Sequence, residues 1–378
     1  MPQRSMMRFE RLMGTESRAS LDPRTGTWKE QLENRISTVE ALSEYVHLTE
    51  EEIEGIERAS SRFRWAVTSY YASLMDPDDP DCPIRKQAIP SPLEIYDRAG
   101  TPDPLLEEEH SPVPGVVKVY PDRIALLITN QCPTLCRHCL RKRLAGTEDK
   151  HLGDERVKGA LEYLRSHPEI RDVLITGGDA LMLEDEAIED LLANLRAIPH
   201  LEIIRLGSRT LCTLPQRITP ELCRMLERFH PLYLNTQFNH PKEITREATQ
   251  AADMLCRAGI PLGNQSVLLK GINDDVKTMK RLIQGLVKIR IRPYYLYQCQ
   301  VLSGTAHFRV PIETGIYIMR HLRGFTSGLA IPTYVLDTPY GKSPLNPTYA
   351  LGREGDYFVM RTWDGHIWRE FNPVEDEQ

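Results

Sequence analysis

Nowhere in the 378 residues do about 18 apolar side chains run together, the length a membrane span needs, and the N-terminal stretch MPQRSMMRFERLMG lacks the apolar core of a secretion signal. The chain is therefore expected to stay in the cytoplasm, off any membrane. Charge of one sign is also scarce: the formal net charge is −6 and no block of like charges stands out. A nucleic acid or other polyanion gains no electrostatic support from this, and small-molecule partners are favoured. Nor do the cysteines spread out as a disulfide framework requires. Eight occur, three of them between Cys132 and Cys139, which suits a metal or cluster site in a reducing compartment. Cys82, Cys212, Cys223, Cys256 and Cys299 are scattered and are expected to be buried or free thiols.

What is there reads as a helical start, a broken middle and a regular remainder. From Trp28 to Met75 prolines and glycines are few, and Ile36, Val39, Leu42 and Val46 recur at steps of three and four, so this stretch is expected to be helical. Residues 76–114 are rich in proline and aspartate and predict an extended wrapping segment without long elements. After Tyr120, short β-branched runs at 124–129, 172–176, 201–206, 232–236, 265–269 and 292–297, with a further run at 333–336, alternate with amphipathic stretches such as Val157, Ala160, Leu161, Leu164. Strand and helix alternating about six times predict a parallel sheet with helices outside, curled into a full or partial barrel, whose chemistry gathers at the C-terminal strand ends. The expected divisions are 1–114, 115–325 and 326–378.

The strongest motif is NQCPTLCRHC. Cys132, Cys136 and Cys139 form a Cys-x3-Cys-x2-Cys triplet directly after the first predicted barrel strand. Three thiolates can hold three irons of a 4Fe–4S cube and leave the fourth open to a small molecule. A structural zinc site, or an electron-transfer protein built on these cysteines, is the alternative, but zinc usually pairs two short-spaced cysteines with a distant second pair, which is missing here.

The triplet at the tip of the first strand resembles the radical S-adenosylmethionine (SAM) superfamily, in which the open iron chelates SAM and an electron breaks its carbon–sulfur bond to give a 5′-deoxyadenosyl radical. The second strand ends in TGGDA, where that superfamily pairs a glycine-rich edge with the methionine amino group, which implicates Gly177, Gly178 and Asp179. The stretches CRHCLRKRLAG, TGGDALML, IRLGSRT, LNTQFNHPKEIT, PLGNQSVLLKGIND, IRPYYLYQC and LRGFTSGLAIPTYVLDTP resemble the lysine 2,3-aminomutase family in order and spacing. That resemblance implies a partial (β/α)6 radical SAM barrel with a helical N-terminal region.

The same resemblance implies pyridoxal phosphate (PLP) held as an internal aldimine by Lys342, in a loop two residues shorter than in the lysine enzymes. It places Tyr120 and Arg123 beside PLP, with Val119 where an arginine is usual, and it puts Gln265 near SAM, with Gln237 in place of a histidine. Arg141 would pair with the substrate carboxylate, and Asp337 and Gln300 would meet the distal end, where the lysine enzymes carry two aspartates. One carboxylate beside an amide suits arginine or lysine and disfavours glutamate by like-charge repulsion. The implied activity is a 2,3-aminomutase acting on a free amino acid, with an external electron donor such as flavodoxin or ferredoxin. A desaturase using the same cofactors is the alternative. A homo-oligomer is also implied, without the zinc link of the lysine enzymes, because the tail after Gly352 has no cysteine and Asp275 stands at the helix position.

Overall fold

The computed structural model describes residues 23–145, 148–151 and 153–372. The first 22 residues, on which the expectation about a secretion signal rests, lie outside the described residues. Nine strands form one open sheet in chain order: β1 (Val116–Val117), β2 (Arg123–Thr129), β3 (Asp172–Gly177), β4 (Ile203–Gly207), β5 (Leu232–Thr236), β6 (Leu262–Leu268), β7 (Ile291–Gln298), β8 (Thr333–Thr338) and β9 (Gly341–Pro344). Strands β2 to β8 are parallel, and β1 and β9 close the two edges antiparallel. The late run at 333–336 is thus a seventh parallel strand, and its pairing with β7 carries the sheet across position 325. Three further strands, β10 (Ala350–Glu354), β11 (Tyr357–Arg361) and β12 (Ile367–Phe371), make a separate antiparallel sheet.

Alternation along each barrel strand decides its two faces. Ile124, Leu126, Ile128, Val173, Ile175, Ile204 and Leu206 turn outward into the main core. There they meet the crossover helices, among them Asp154–Ser166, Asp185–Arg196, Arg246–Arg257, Val276–Lys288 and Ile312–Leu322. The apolar series at Ala160, Leu161 and Leu164 is buried in that core, as are Met279, Ile283 and Leu286. Their neighbours in sequence, Arg123, Ala125, Leu174, Thr176, Ile203 and Arg205, face the barrel interior and line a cavity. The architecture is a partial barrel of parallel strands with helices outside.

The N-terminal region is more broken than its periodicity predicts. Its helices are short, Trp28–Glu33, Val39–Leu42, Glu50–Ser60 and Ser69–Ala72, and a threonine caps each of them: Thr27, Thr38, Thr49 and Thr68. Each cap hydroxyl accepts a backbone N–H that the helix cannot use, so the chain starts a helix afresh each time. Ile36 is not helical; it bridges to Val67. Ile36, Leu42, Val46, Ile56 and Val67 nevertheless converge on a second, smaller core. Between 76 and 114 only Pro83–Ala88 and Pro92–Tyr96 are regular.

Candidate active site

The barrel interior opens into a cavity of about 660 Å³, within the roughly 300–1,000 Å³ usual for small-molecule sites. All thirteen residues singled out in the sequence line it: Tyr120, Arg123, Cys132, Cys136, Cys139, Arg141, Gly177, Gly178, Asp179, Gln265, Gln300, Asp337 and Lys342. They come from strands and loops far apart in the chain, so the parallel topology is what gathers them.

At one end lies the cysteine loop that follows β2. The N-terminal region grips it through Arg35 Nη1, which donates to the Cys132 carbonyl at 2.6 Å, and through backbone bonds from Leu135 to Ala66 O (2.8 Å) and from Arg137 to Gln87 O (2.9 Å). Arg137 is itself buried between the cysteines' flanks, and its guanidinium reaches both Glu94 oxygens, at 2.8 and 2.7 Å, while Lys142 Nζ reaches Oε2 at 2.7 Å. Burial, then Asp179 and the other two sulfurs, pushes the Cys132 thiol well up; burial and Cys136 push Cys139 up. Crowded thiols such as Cys132 and Cys139, which resist ionising on their own, suit a strongly cationic group, whose charge reverses that preference. Among the described residues no three His, Cys, Asp or Glu side chains close on a single ion. His138, within the triplet, turns Nε2 towards the Gln237 and Asn239 amides at 2.8 and 3.2 Å.

The tip of β3 lies against this loop. Gly177 has φ +120°, and a Cβ on Gly178 would stand 2.3 Å from the Gln131 carbonyl, so only glycine lets the two strand ends approach this closely. Asp179 spends both carboxylate oxygens on backbone, accepting from Leu181 N (3.0 Å) and Arg209 N (2.7 Å). What this turn presents to the cavity is main chain, and Gln265 of β6 lines the same cavity.

The lysine end is a tight hairpin. Asp337 of β8 faces Lys342 of β9 in register, Thr338 faces Gly341, and only Pro339 and Tyr340 lie between. Proline pre-sets the first turn position and Gly341, at φ +111°, receives the chain. Lys342 consequently sits on a strand. Its Nζ is 3.2 Å from Asp337 Oδ2 and lies 5.8 and 5.7 Å from the ring centres of Tyr120 and Tyr297. Tyr120 also accepts from the Lys342 backbone N–H at 2.8 Å and stacks under the Arg123 guanidinium at 3.6 Å. Arg123 and Arg205, which line the cavity, together with the aromatic walls and a half-buried amine, suit a flat anionic cofactor such as PLP. Burial, reinforced by the Asp337 carboxylate, holds the Tyr297 phenol well above its usual value, so it remains a neutral donor.

Arg141 and Gln300 stand between these ends. Arg141 is gripped by Glu107, with Nε and Nη2 at 3.0 and 2.7 Å from Oε1. Burial opposes its charge, but Glu107 outweighs burial and raises the guanidinium further. Gln300 Nε2 donates to the Asp337 carbonyl at 2.8 Å.

Sequence reasoning assigned no role to Arg209, Glu107, Glu243 or Tyr297. Arg209 could have been found: it lies two residues past β4, in the kind of strand-end loop where barrel chemistry gathers. Glu107 carried no signal, because its partner is 34 residues away.

Two family models match the chain, that of the Radical SAM superfamily over residues 126–283 and that of Lysine-2,3-aminomutase over residues 319–376. The L-lysine 2,3-aminomutase of Clostridium subterminale is 52% identical over 92% of this chain and 84% of its own. That of Fusobacterium nucleatum is 52% identical over 92% and 82%. The glutamate 2,3-aminomutase of Clostridioides difficile is 47% identical over 93% and 82%.

Proposed function

The chain belongs to the lysine 2,3-aminomutase family of radical SAM enzymes, isomerases of the aminomutase class, and on that premise we propose that it moves the α-amino group of free arginine or lysine to Cβ. The observation that carries this reading is the meeting, in one cavity, of a cysteine triplet at one end and an amine between aromatic rings at the other. When bound, a 4Fe–4S cluster with SAM supplies a radical that removes a hydrogen, and PLP supplies the electron sink that lets nitrogen migrate.

Cys132, Cys136 and Cys139 hold the irons. The Gly177–Gly178 main chain and Gln265 orient SAM, Lys342 carries PLP, and Tyr120 and Arg123 flank that cofactor. Arg141, already fixed by Glu107, offers its remaining Nη1 edge to the substrate carboxylate, where a planar fork gives direction as well as charge. At the distal end Gln300 has tied one amide N–H to the Asp337 carbonyl. Its acceptor oxygen, beside a second N–H, is what it offers a cationic substrate, next to the Asp337 carboxylate. Two acceptors suit the donors of a guanidinium or ammonium and repel a carboxylate. The barrel walls keep the reacting atoms in line and exclude water. An external one-electron donor of the flavodoxin or ferredoxin kind, a cytoplasmic location and a homo-oligomer belong to the same reading.

The test is spectroscopic first. Lys342→Ala should lose the absorbance of bound PLP and keep its iron, and Cys136→Ala should do the reverse. Incubating the reconstituted protein with SAM, a reductant and each amino acid, followed by mass and chiral analysis, then identifies the substrate. A dehydro amino acid in place of a β-amino acid would establish a desaturase, and no 5′-deoxyadenosine with any amino acid would refute the whole reading.

A further inference from the structure

Arg209 is 8% exposed and lies two residues past the end of β4. Its Nε donates to the Gln237 carbonyl at 3.1 Å. Nη2 serves three acceptors, Glu243 Oε1 at 2.7 Å, Gln87 Oε1 at 2.6 Å and the Tyr71 hydroxyl at 3.1 Å. Its backbone N–H is tied to Asp179 at 2.7 Å. Held on these sides, the side chain has one arm left, and Nη1 of that arm points at Cys136 Sγ from 2.7 Å. No other charged side chain among the described residues is hydrogen-bonded to a sulfur of the triplet.

We propose that Arg209 is a positioning residue that holds a fixed positive hydrogen-bond donor on the Cys136 sulfur and thereby sets the reduction potential of the 4Fe–4S cluster. This rests on the reading that Cys132, Cys136 and Cys139 hold that cluster. Taking up one electron from the external donor makes the cluster and its thiolates more negative, with no bond made or broken in the protein. A cation on one ligand stabilises that reduced state more than the oxidised one, so it raises the potential, and hydrogen bonds to sulfur act the same way. Burial strengthens the effect because little water screens it. Arginine suits the task because it does not give up its proton to a thiolate. Glu243 compensates the charge, but from the Nη2 side, and leaves Nη1 facing the sulfur.

The test uses the full chain reconstituted with iron and sulfide, titrated anaerobically against potential and read by electron paramagnetic resonance. Arg209→Met combined with Glu243→Gln removes both charges together and avoids a stranded carboxylate. With iron content unchanged, the reduced-to-oxidised ratio of this variant at a given potential should fall at least tenfold, about 59 mV for one electron. Arg209→Lys keeps a cation for Glu243 but has no second arm for the sulfur, so a smaller shift in the same direction is expected even where the double variant does not fold. An unchanged potential in either variant with its cluster in place overturns the proposal. So does a folded double variant that has lost its iron, because Arg209 would then retain the cluster instead of tuning it. A wild-type protein that binds no iron is a separate result and refutes the cluster assignment itself.

Discussion

Single residues at this site are held by charge partners that composition could not disclose. Glu94 has no exposure, yet Arg137 and Lys142 both bind it. Burial would raise its carboxyl, but the two cations outweigh burial and hold it below the usual range; the cost appears on Lys142, which burial and Arg137 push down to about 8. Glu94→Gln strands two cations and should cost about 3–5 kcal/mol in urea unfolding; a loss under about 1 kcal/mol would show that water reaches the cluster. His307 has two buried ring nitrogens without partners. Burial, aided by Lys142 and Arg137 and opposed by Glu94, lowers it to about 4. An unfolded histidine titrates near 6.5, so the unfolded chain binds this proton first, and stability should drain as pH falls from about 6.5 to about 4, by up to about 3 kcal/mol. His307→Phe should flatten that part of the stability profile; an unaltered slope would remove His307 as its source. Gln300→Asp should move relative turnover from arginine towards lysine, and an unmoved ratio would take position 300 out of substrate selection.

Elements were legible where periodicity had a single meaning. The β-branched runs became strands because each is bounded by turns and buried on its outer side, and the triplet and TGGDA fell at strand ends as the barrel reading requires. The N-terminal helices were misjudged in length, because steps of three and four between Ile36 and Val46 say nothing of where Thr38 restarts the chain. Lys342 was assigned to a loop, since a Gly-Lys after Pro-Tyr does not announce that the chain turns back at once into β9. Packing between elements is equally specific. A Cβ on Gly315, in the helix Ile312–Leu322, would meet the Tyr334 ring of β8 at 2.2 Å, and that tyrosine is fully buried. Gly315→Ala is a better helix former in isolation but should destabilise by about 1–3 kcal/mol through overpacking. A rise in melting temperature would mean the helix can slide.

Across the whole molecule, the contacts that join the N-terminal region to the barrel were out of the sequence's reach. Thr68 to Thr213, Tyr71 to Glu243 and Arg137 to Glu94 span 145, 172 and 43 residues, and no local pattern encodes them. They predict that the two cores unfold together. Of the four tryptophans, Trp28 and Trp65 lie in the N-terminal region and Trp363 and Trp368 beyond the barrel. With the latter pair changed to phenylalanine, tryptophan emission and far-ultraviolet circular dichroism should share one urea midpoint; two midpoints would make the region a separate folding unit. The hairpin of β8 and β9, which seals one edge of the sheet, makes the direction of the amine a matter of register. Side chains on a strand alternate, so a residue added between Thr338 and Gly341 must be taken up by a wider turn; were the two-residue turn kept, β9 would slip by one and swing the amine of Lys342 to the opposite face. Changes of length at this turn are therefore open to evolution or design only where Asp337 and Lys342 stay paired.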